Sequence, residues 1–289
     1  NYGRISISSG STLNIYGQDT GSGTLTLGGY GRSTSSGIGL NGSSALNIHG
    51  GTITANGYWY NNKVDAAPGI DVGTGTLTVY GGEVNAEAGT YSNAGYGAGI
   101  RVTSGGTVSI YGGTVTATGA SNRSALGVSG AGIGGNGAGI GGNGAGGNGA
   151  GETCGTVTAI GGESTAGNAQ APGIGGAVYN NNKGNAGSFS TGTGGSAVIT
   201  TTGGIQAGTS GCSAIIDNKV YGNVTLPDSQ LSSKNLTVTN GATLTISGEK
   251  TLSSSITVND GGTLTGTGTI NNTDSGKVTG DTGNVKVTY

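Results

Sequence analysis

The chain has 289 residues, of which 68 are Gly and only 8% are charged, with a formal net charge of −2 and a pI near 5.3. The balanced charge and the lack of any basic run exclude the electrostatic footprint of a nucleic-acid binder, and no apolar run approaches membrane-spanning length. With only three Pro and few charges, charge-driven disorder is disfavoured, the strict three-residue Gly period of collagen is missing, and Gly mixed with Thr, Ser, Asn and Val predicts many short strands joined by tight turns.

The opening residues "NYGRISISSG" already read as strand, with neither a starting Met nor a signal peptide, so a segment or mature fragment of a longer protein is expected. Further on a repeat emerges. "LNIHGGTITANG" from Leu46, "LTVYGGEVNAEAG" from Leu77 and "VSIYGGTVTATGA" from Val108 place a double Gly at Gly50–Gly51, Gly81–Gly82 and Gly112–Gly113, in two steps of 31 residues. A second anchor precedes each, in "SGIGLNG" at Ser36, "PGIDVGT" at Pro68 and "AGIRVTS" at Ala98. The units are therefore about 37–67, 68–98 and 99–129.

Each unit holds three strand-like pieces. In "GTLTVYGG" the alternation has period two, with Leu77 and Val79 on one face and Thr76, Thr78 and Tyr80 on the other. A unit this short cannot bury its apolar face alone and must stack on its neighbours. Three strands per turn give an all-β chain wound as a right-handed parallel β-helix, right-handed coiling being the default. Leu46, Ile48, Ile53, Leu77, Val79, Val84, Val108, Ile110 and Val115 are predicted to point inward.

The fourth and fifth coils are less regular. "AGIGGNG" at Ala131 leads to "GTVTAIGGESTAGNA" at Gly155, and "PGIGGAV" at Pro172 leads to "SAVITTTGGIQAG" at Ser196. The Gly-rich run 130–155 reads as an insertion at one corner, before "GTVTAI" resumes as a second strand, with "YNNNKGNAGSFSTGTGG" from Tyr179 at the same corner of the next coil. A calcium roll needs acidic ligands, and here Asn136, Asn143 and Asn148 stand in their place, so no metal is assigned. The favoured account is structural: Gly permits turns and close approach, while Ile133 and Ile140 dip into an apolar surface. Past Lys219 the step shortens to 20, as in "LTVTNGATLTISG" from Leu236 and "ITVNDGGTLTGTG" from Ile256. The expected division is 1–219, large coils with the Gly-rich insertion, and 220–289, small coils ending in a cap where Lys277 and Lys286 protect the edge.

Parallel stacking turns repeats into columns. His49, Tyr80 and Tyr111 form an aromatic ladder, either a platform for sugar rings or a stack that stiffens an exposed face. Thr52, Glu83 and Thr114 form another column, continued by Glu163, and Asn47, Thr78, Ser109 and Thr158 a third. Asp71 and Arg101 are neighbours on the first strand. His49 is the only His, so a His-based triad or zinc cluster is excluded. Glu83 and Glu163, two coils apart, sit roughly 9.6 Å apart on a flat face, with nothing visible to raise one pKa, so catalysis is not assigned. Thr-x-Thr arrays resemble ice-binding solenoid surfaces, but Tyr80, Glu83, Asn85 and Glu87 interrupt them.

A third edge carries the most varied side chains: Tyr58, Trp59, Tyr60, Asn61 and Asn62, with Tyr91, Asn93, Asn122 and Arg123 from the next coils. Aromatics beside Asn suit stacking on and hydrogen-bonding to sugars, and loop packing is the alternative. Cys154 and Cys212 align with different corners, so free or loosely buried thiols are expected.

"GGTVTATGA…GAGIGG" and "ITVNDGGTLTGTG" resemble the Gly/Thr-rich right-handed β-helix repeats of bacterial cell-surface adhesins and autotransporter-like passengers, over nearly the whole chain. The resemblance implies an extracellular, cell-surface location, a stalk or display role, and contact with carbohydrate or a host or cell-surface protein. No cofactor is assigned, and without an apolar run of spanning length no membrane insertion of this segment is expected. The pectate-lyase superfamily shares the architecture, but no cluster of Asp with nearby Lys or Arg carries over. The reading is a non-enzymatic structural or adhesive protein. The alternatives are a polysaccharide-degrading enzyme, an end-to-end self-assembling fibre component, and an ice-binding solenoid.

Overall fold

The structure is a computed structural model that describes residues 3–17, 23–28, 35–58, 66–89, 97–103, 105–121, 131, 133–135, 156–160, 170–176, 178–179, 182–183, 189, 191, 197–206, 209, 212–226, 235–272 and 277–289. Every described regular element is a β-strand, and the strands stack coil on coil as a parallel β-helix. Two compact units are present. One takes the described residues of Asn1–Gly146, Gly155–Ser190 and Thr201–Gly208, and the other those of Thr191–Thr200 and Thr209–Tyr289.

In the first unit, β1 (Ile5–Ile7), β2 (Thr12–Ile15) and β3 (Thr24–Gly28) make one coil. The next are β4 (Ile38–Leu40), β5 (Ala45–Ile48) and β6 (Thr52–Asn56), then β7 (Ile70–Gly73), β8 (Thr76–Val79) and β9 (Glu83–Glu87), then β10 (Ile100–Val102), β11 (Thr107–Ile110) and β12 (Thr114–Thr118). β13 (Ile133–Gly135), β14 (Thr156–Ile160) and β15 (Ile174–Gly176) follow, with an antiparallel pair, β16 (Val178–Tyr179) and β17 (Asn182–Lys183). Corresponding strands pair in parallel: β1, β4, β7, β10, β13 and β15 on one face, β2, β5, β8 and β11 on the second, β3, β6, β9, β12 and β14 on the third.

The register carries the repeat directly. Ala45 lies beside Thr76 and Thr76 beside Thr107, while Thr52 lies beside Glu83 and Glu83 beside Thr114. Period-two alternation sends Leu, Ile and Val inward. All nine residues predicted for the interior are at most 3% exposed. Small side chains fill one corner, where Ala66, Ala88 and Ala120 cluster.

The double Gly has a backbone cause. Gly51, Gly82 and Gly113 have φ of 84°, 85° and 75°, a left-handed conformation that costs residues with a Cβ. A Cβ on Gly113 would also lie 2.4 Å from the carbonyl oxygen of Gly82. At another corner, a Cβ on Gly69 would lie 2.3 Å from the carbonyl oxygen of Ala55, and one on Gly99 2.7 Å from that of Ala86. Coils at β-sheet spacing leave no room there for more than a hydrogen.

One assignment is corrected. "GTVTAI" supplies β14, a third-face strand: Thr156 pairs with Thr114, Val157 with Val115 and Thr158 with Thr116. Thr158 therefore leaves the column of Ser109, and Thr156, not Glu163, continues the column of Thr52, Glu83 and Thr114. The competing alignment rested on "IGGE" mimicking the double Gly after a second strand, whereas Val-Thr-Ala recurs identically in β12 and β14. The Gly-rich run contributes β13, with Ile133 fully buried between Ile100 and Ile174. Ile140, Asn136, Asn143, Asn148 and Glu163 lie outside the described residues.

In the second unit, Ala197, Val198 and Ile199 of β18 (Ala197–Thr202) pair in parallel with β19 (Ala214–Ile216). β20 (Lys219–Tyr221) then runs antiparallel to β19 through a two-residue turn at Asp217–Asn218, with φ of 48° and 65°. Positive φ at both positions marks the type I′ turn that suits a tight hairpin. After this reversal come β21 (Asn223–Thr225), β22 (Leu236–Val238), β23 (Thr243–Thr245), β24 (Glu249–Leu252), β25 (Ile256–Val258), β26 (Thr263–Thr265), β27 (Thr269–Asn272), β28 (Val278–Thr279) and β29 (Lys286–Thr288). Leu236 beside Ile256, Thr243 beside Thr263 and Glu249 beside Thr269 realise the shorter step. Val220, Val224, Leu236, Val238, Leu244, Ile246, Ile256, Leu264 and Ile270 form its core.

Candidate functional site

The residue after each second-face strand points outward just before the turn. Four successive coils place Tyr16, His49, Tyr80 and Tyr111 there. Backbone bonds fix the column: His49 N–H donates to the Ile15 carbonyl at 2.8 Å, Tyr80 N–H to Ile48 at 2.7 Å, and Tyr111 N–H to Val79 at 2.7 Å. With the main chains in register, the rings stack face to face. Centroid separations are 4.5 Å for Tyr16–His49, 4.8 Å for His49–Tyr80 and 5.5 Å for Tyr80–Tyr111, with interplanar angles of 9°, 10° and 15°.

The ladder is solvent-facing. Tyr16 is 71% exposed, Tyr80 50% and Tyr111 36%. Because the rings cover one another, their edges face outward, bearing a row of phenol hydroxyls interrupted by one imidazole. That row can donate and accept hydrogen bonds along the coil axis. The sequence reading found His49, Tyr80 and Tyr111 and missed Tyr16. "LNIYG" from Leu13 matches "LNIHG" from Leu46, but a single Gly follows Tyr16, and Thr12 pairs with Ala45 at a longer step than the later coils use.

A polar column runs beside the ladder, with Asn14, Asn47, Thr78 and Ser109 in register. Asn47 Nδ2 donates to Asn14 Oδ1 at 2.9 Å. On the third face, Asn85 Nδ2 donates to Glu83 Oε1 at 3.0 Å. The Glu83–Glu163 pair considered for hydrolysis has lost its register support. On the first face, Arg101 meets Asp71 in a two-pronged ion pair, with Nε donating to Oδ1 at 2.7 Å and a terminal guanidinium nitrogen to Oδ2. Both side chains are partly buried, and this geometry is stronger than a loose surface contact.

Of the varied edge, Tyr58 is described: it is half-buried, and its N–H donates to the Ser35 carbonyl at 2.8 Å in an antiparallel bridge. Trp59, Tyr60, Asn61, Asn62, Tyr91, Asn93, Asn122 and Arg123 lie outside the described residues. Cys212 is a free, buried thiol. Burial pushes its pKa up, while hydrogen bonding with Thr191 pulls the other way. Cys154 lies outside the described residues. Among the described residues no group of three His, Cys, Asp or Glu could hold a metal ion, and no helix is long and apolar enough to cross a membrane. No protein-family model, no curated protein and no solved structure matches the chain.

Proposed function

We propose that this protein is a non-enzymatic extracellular, cell-surface β-helix with a structural or adhesive role that contacts glycans, as its resemblance to adhesin and autotransporter-like repeats suggests. The observation that carries the reading is the exposed four-ring ladder Tyr16–His49–Tyr80–Tyr111, held in register by backbone hydrogen bonds. A rigid scaffold presents these hydroxyl edges with little ordering cost on binding. Exposed aromatic side chains are also the largest source of contact energy in so sparsely charged a chain. The edge from Tyr58 to Asn62, with Tyr91, Asn93, Asn122 and Arg123, is proposed as a second contact region.

A glycan array, followed by co-sedimentation with the polysaccharides it selects, tests the role. Binding should occur without new reducing ends or unsaturated products. Tyr80→Ala should weaken it by about 1–3 kcal/mol if the ladder is the contact, and Trp59→Ala by a similar amount if the edge is. Turnover of any polysaccharide would replace the reading with an enzymatic one, and no binding at all would remove the glycan component.

A further inference from the structure

We propose that Tyr80 and Tyr111 form an oxidative crosslinking site, at which a one-electron oxidant of the peroxidase class joins two neighbouring coils through a dityrosine bond. In the ladder, Tyr80 and Tyr111 are the one pair of phenols directly stacked, since His49 separates Tyr80 from Tyr16. Their ring centroids are 5.5 Å apart and nearly parallel. Both rings are reachable, at 50% and 36% exposure. Val79 and Ile110, the residues immediately before them, are in register, and the Tyr111 N–H is bonded to the Val79 carbonyl at 2.7 Å. The two side chains therefore start one strand spacing apart, about 4.8 Å at their bases. Rotation of the exposed rings out of the stack turns an ortho carbon of each toward the other. Such enforced proximity favours reaction within the chain over encounter between chains.

The step balances with hydrogen peroxide as terminal oxidant. Each phenol gives up one electron and its hydroxyl proton, leaving two phenoxyl radicals. These couple through a new carbon–carbon bond between ortho positions. The hydrogen on each coupled carbon then moves to the oxygen and restores the phenol. The two electrons and two protons released reduce one peroxide to two waters. The inference is independent of the glycan reading, because it concerns ring geometry and not a bound sugar.

The test treats the intact chain with hydrogen peroxide and a haem peroxidase at low protein concentration, then looks for dityrosine fluorescence and maps linked peptides by mass spectrometry. The expected result is a monomeric product that has lost two hydrogens, with the segments containing Tyr80 and Tyr111 joined. Tyr80→Phe and Tyr111→Phe retain the stack and should each abolish that linkage, whereas Tyr16→Phe should leave it intact. Circular dichroism of each variant shows that the strands persist. Absence of a Tyr80–Tyr111 peptide in the folded parent, linkage formed only between chains, or linkage surviving Tyr80→Phe would overturn the proposal.

Discussion

A Cβ placed on Gly82 would lie 2.5 Å from the carbonyl oxygen of Gly51 one coil away. Gly82 also has φ of 85°, so replacement meets two separate obstacles. Gly241 isolates one of them: its φ is 74°, yet nothing lies within 4 Å of a Cβ there. Gly241→Ala should cost about 1–2 kcal/mol for the left-handed backbone. Gly82→Ala should cost about 1–3 kcal/mol more, because the coils must separate locally. Urea unfolding of the two variants measures the difference, and equal losses would mean that coil contact at the double Gly is not what selects Gly.

Val79 and Thr76 occupy one short strand with opposite fates. Val79 is fully buried, in register between Ile48 and Ile110, and Thr76 is exposed. Val79→Asp places a carboxylate where no described cation faces it and should cost several kcal/mol. Thr76→Asp should change stability by no more than about 0.5 kcal/mol. Thermal unfolding of both variants checks the alternation, and an unchanged melting temperature for Val79→Asp would contradict the inward register.

The inward register was legible in the sequence because apolar period-two runs and the double Gly recur at one fixed step. The interior positions from Leu46 to Val115 follow from that step alone. The ladder was legible for the same reason, except Tyr16, whose coil has a different length. The fourth coil was misread because "IGGE" and "IYGGT" share a Gly pair, while the strand that owns "VTA" is settled only by pairing with Val115, Thr116 and Ala117. Arg101 with Asp71 was visible as a register pair, but not its two-pronged geometry, which depends on side-chain rotamers. The strand reversal at Asp217–Asn218 was not legible because it rests on positive φ at both residues, a conformation that Asp and Asn tolerate but do not require.

Cys212 offers a pH readout. Burial raises its thiol pKa in the folded chain, so the unfolded chain gives up the proton first. The stability associated with the buried neutral thiol is full below the unfolded value, about 8.5. It falls as pH rises from there through the raised folded value. In a Cys154→Ser background, unfolding free energy should therefore decline above about pH 8.5, and Cys212→Ala should flatten that part of the decline. The native thiol should also react slowly with a thiol-specific reagent at neutral pH and rapidly in denaturant. Fast labelling of the folded chain would show that Cys212 is not sequestered.

The turn at Asp217–Asn218 gives the sharpest local test, because the direction of β20 relative to β19 depends on it. Ile215 and Val220 pair across the hairpin and are both buried, with Ile216 opposite Lys219 beside the turn. A two-residue loop with positive φ at both positions matches the twist of the strands it joins, and Asn-Gly is its best sequence. Asn218→Gly removes the Cβ from the residue with φ of 65° and should leave stability unchanged or raise it by up to about 1 kcal/mol. Asn218→Val forces a β-branched side chain into the same conformation and should cost about 1–3 kcal/mol. The two variants change the same solvent-exposed position in opposite directions, so a comparison of their urea midpoints separates turn geometry from any general intolerance there. If Asn218→Val matched the parent while Asn218→Gly lost stability, the left-handed turn would be refuted, and with it the antiparallel junction from which β20 and the shorter coils proceed.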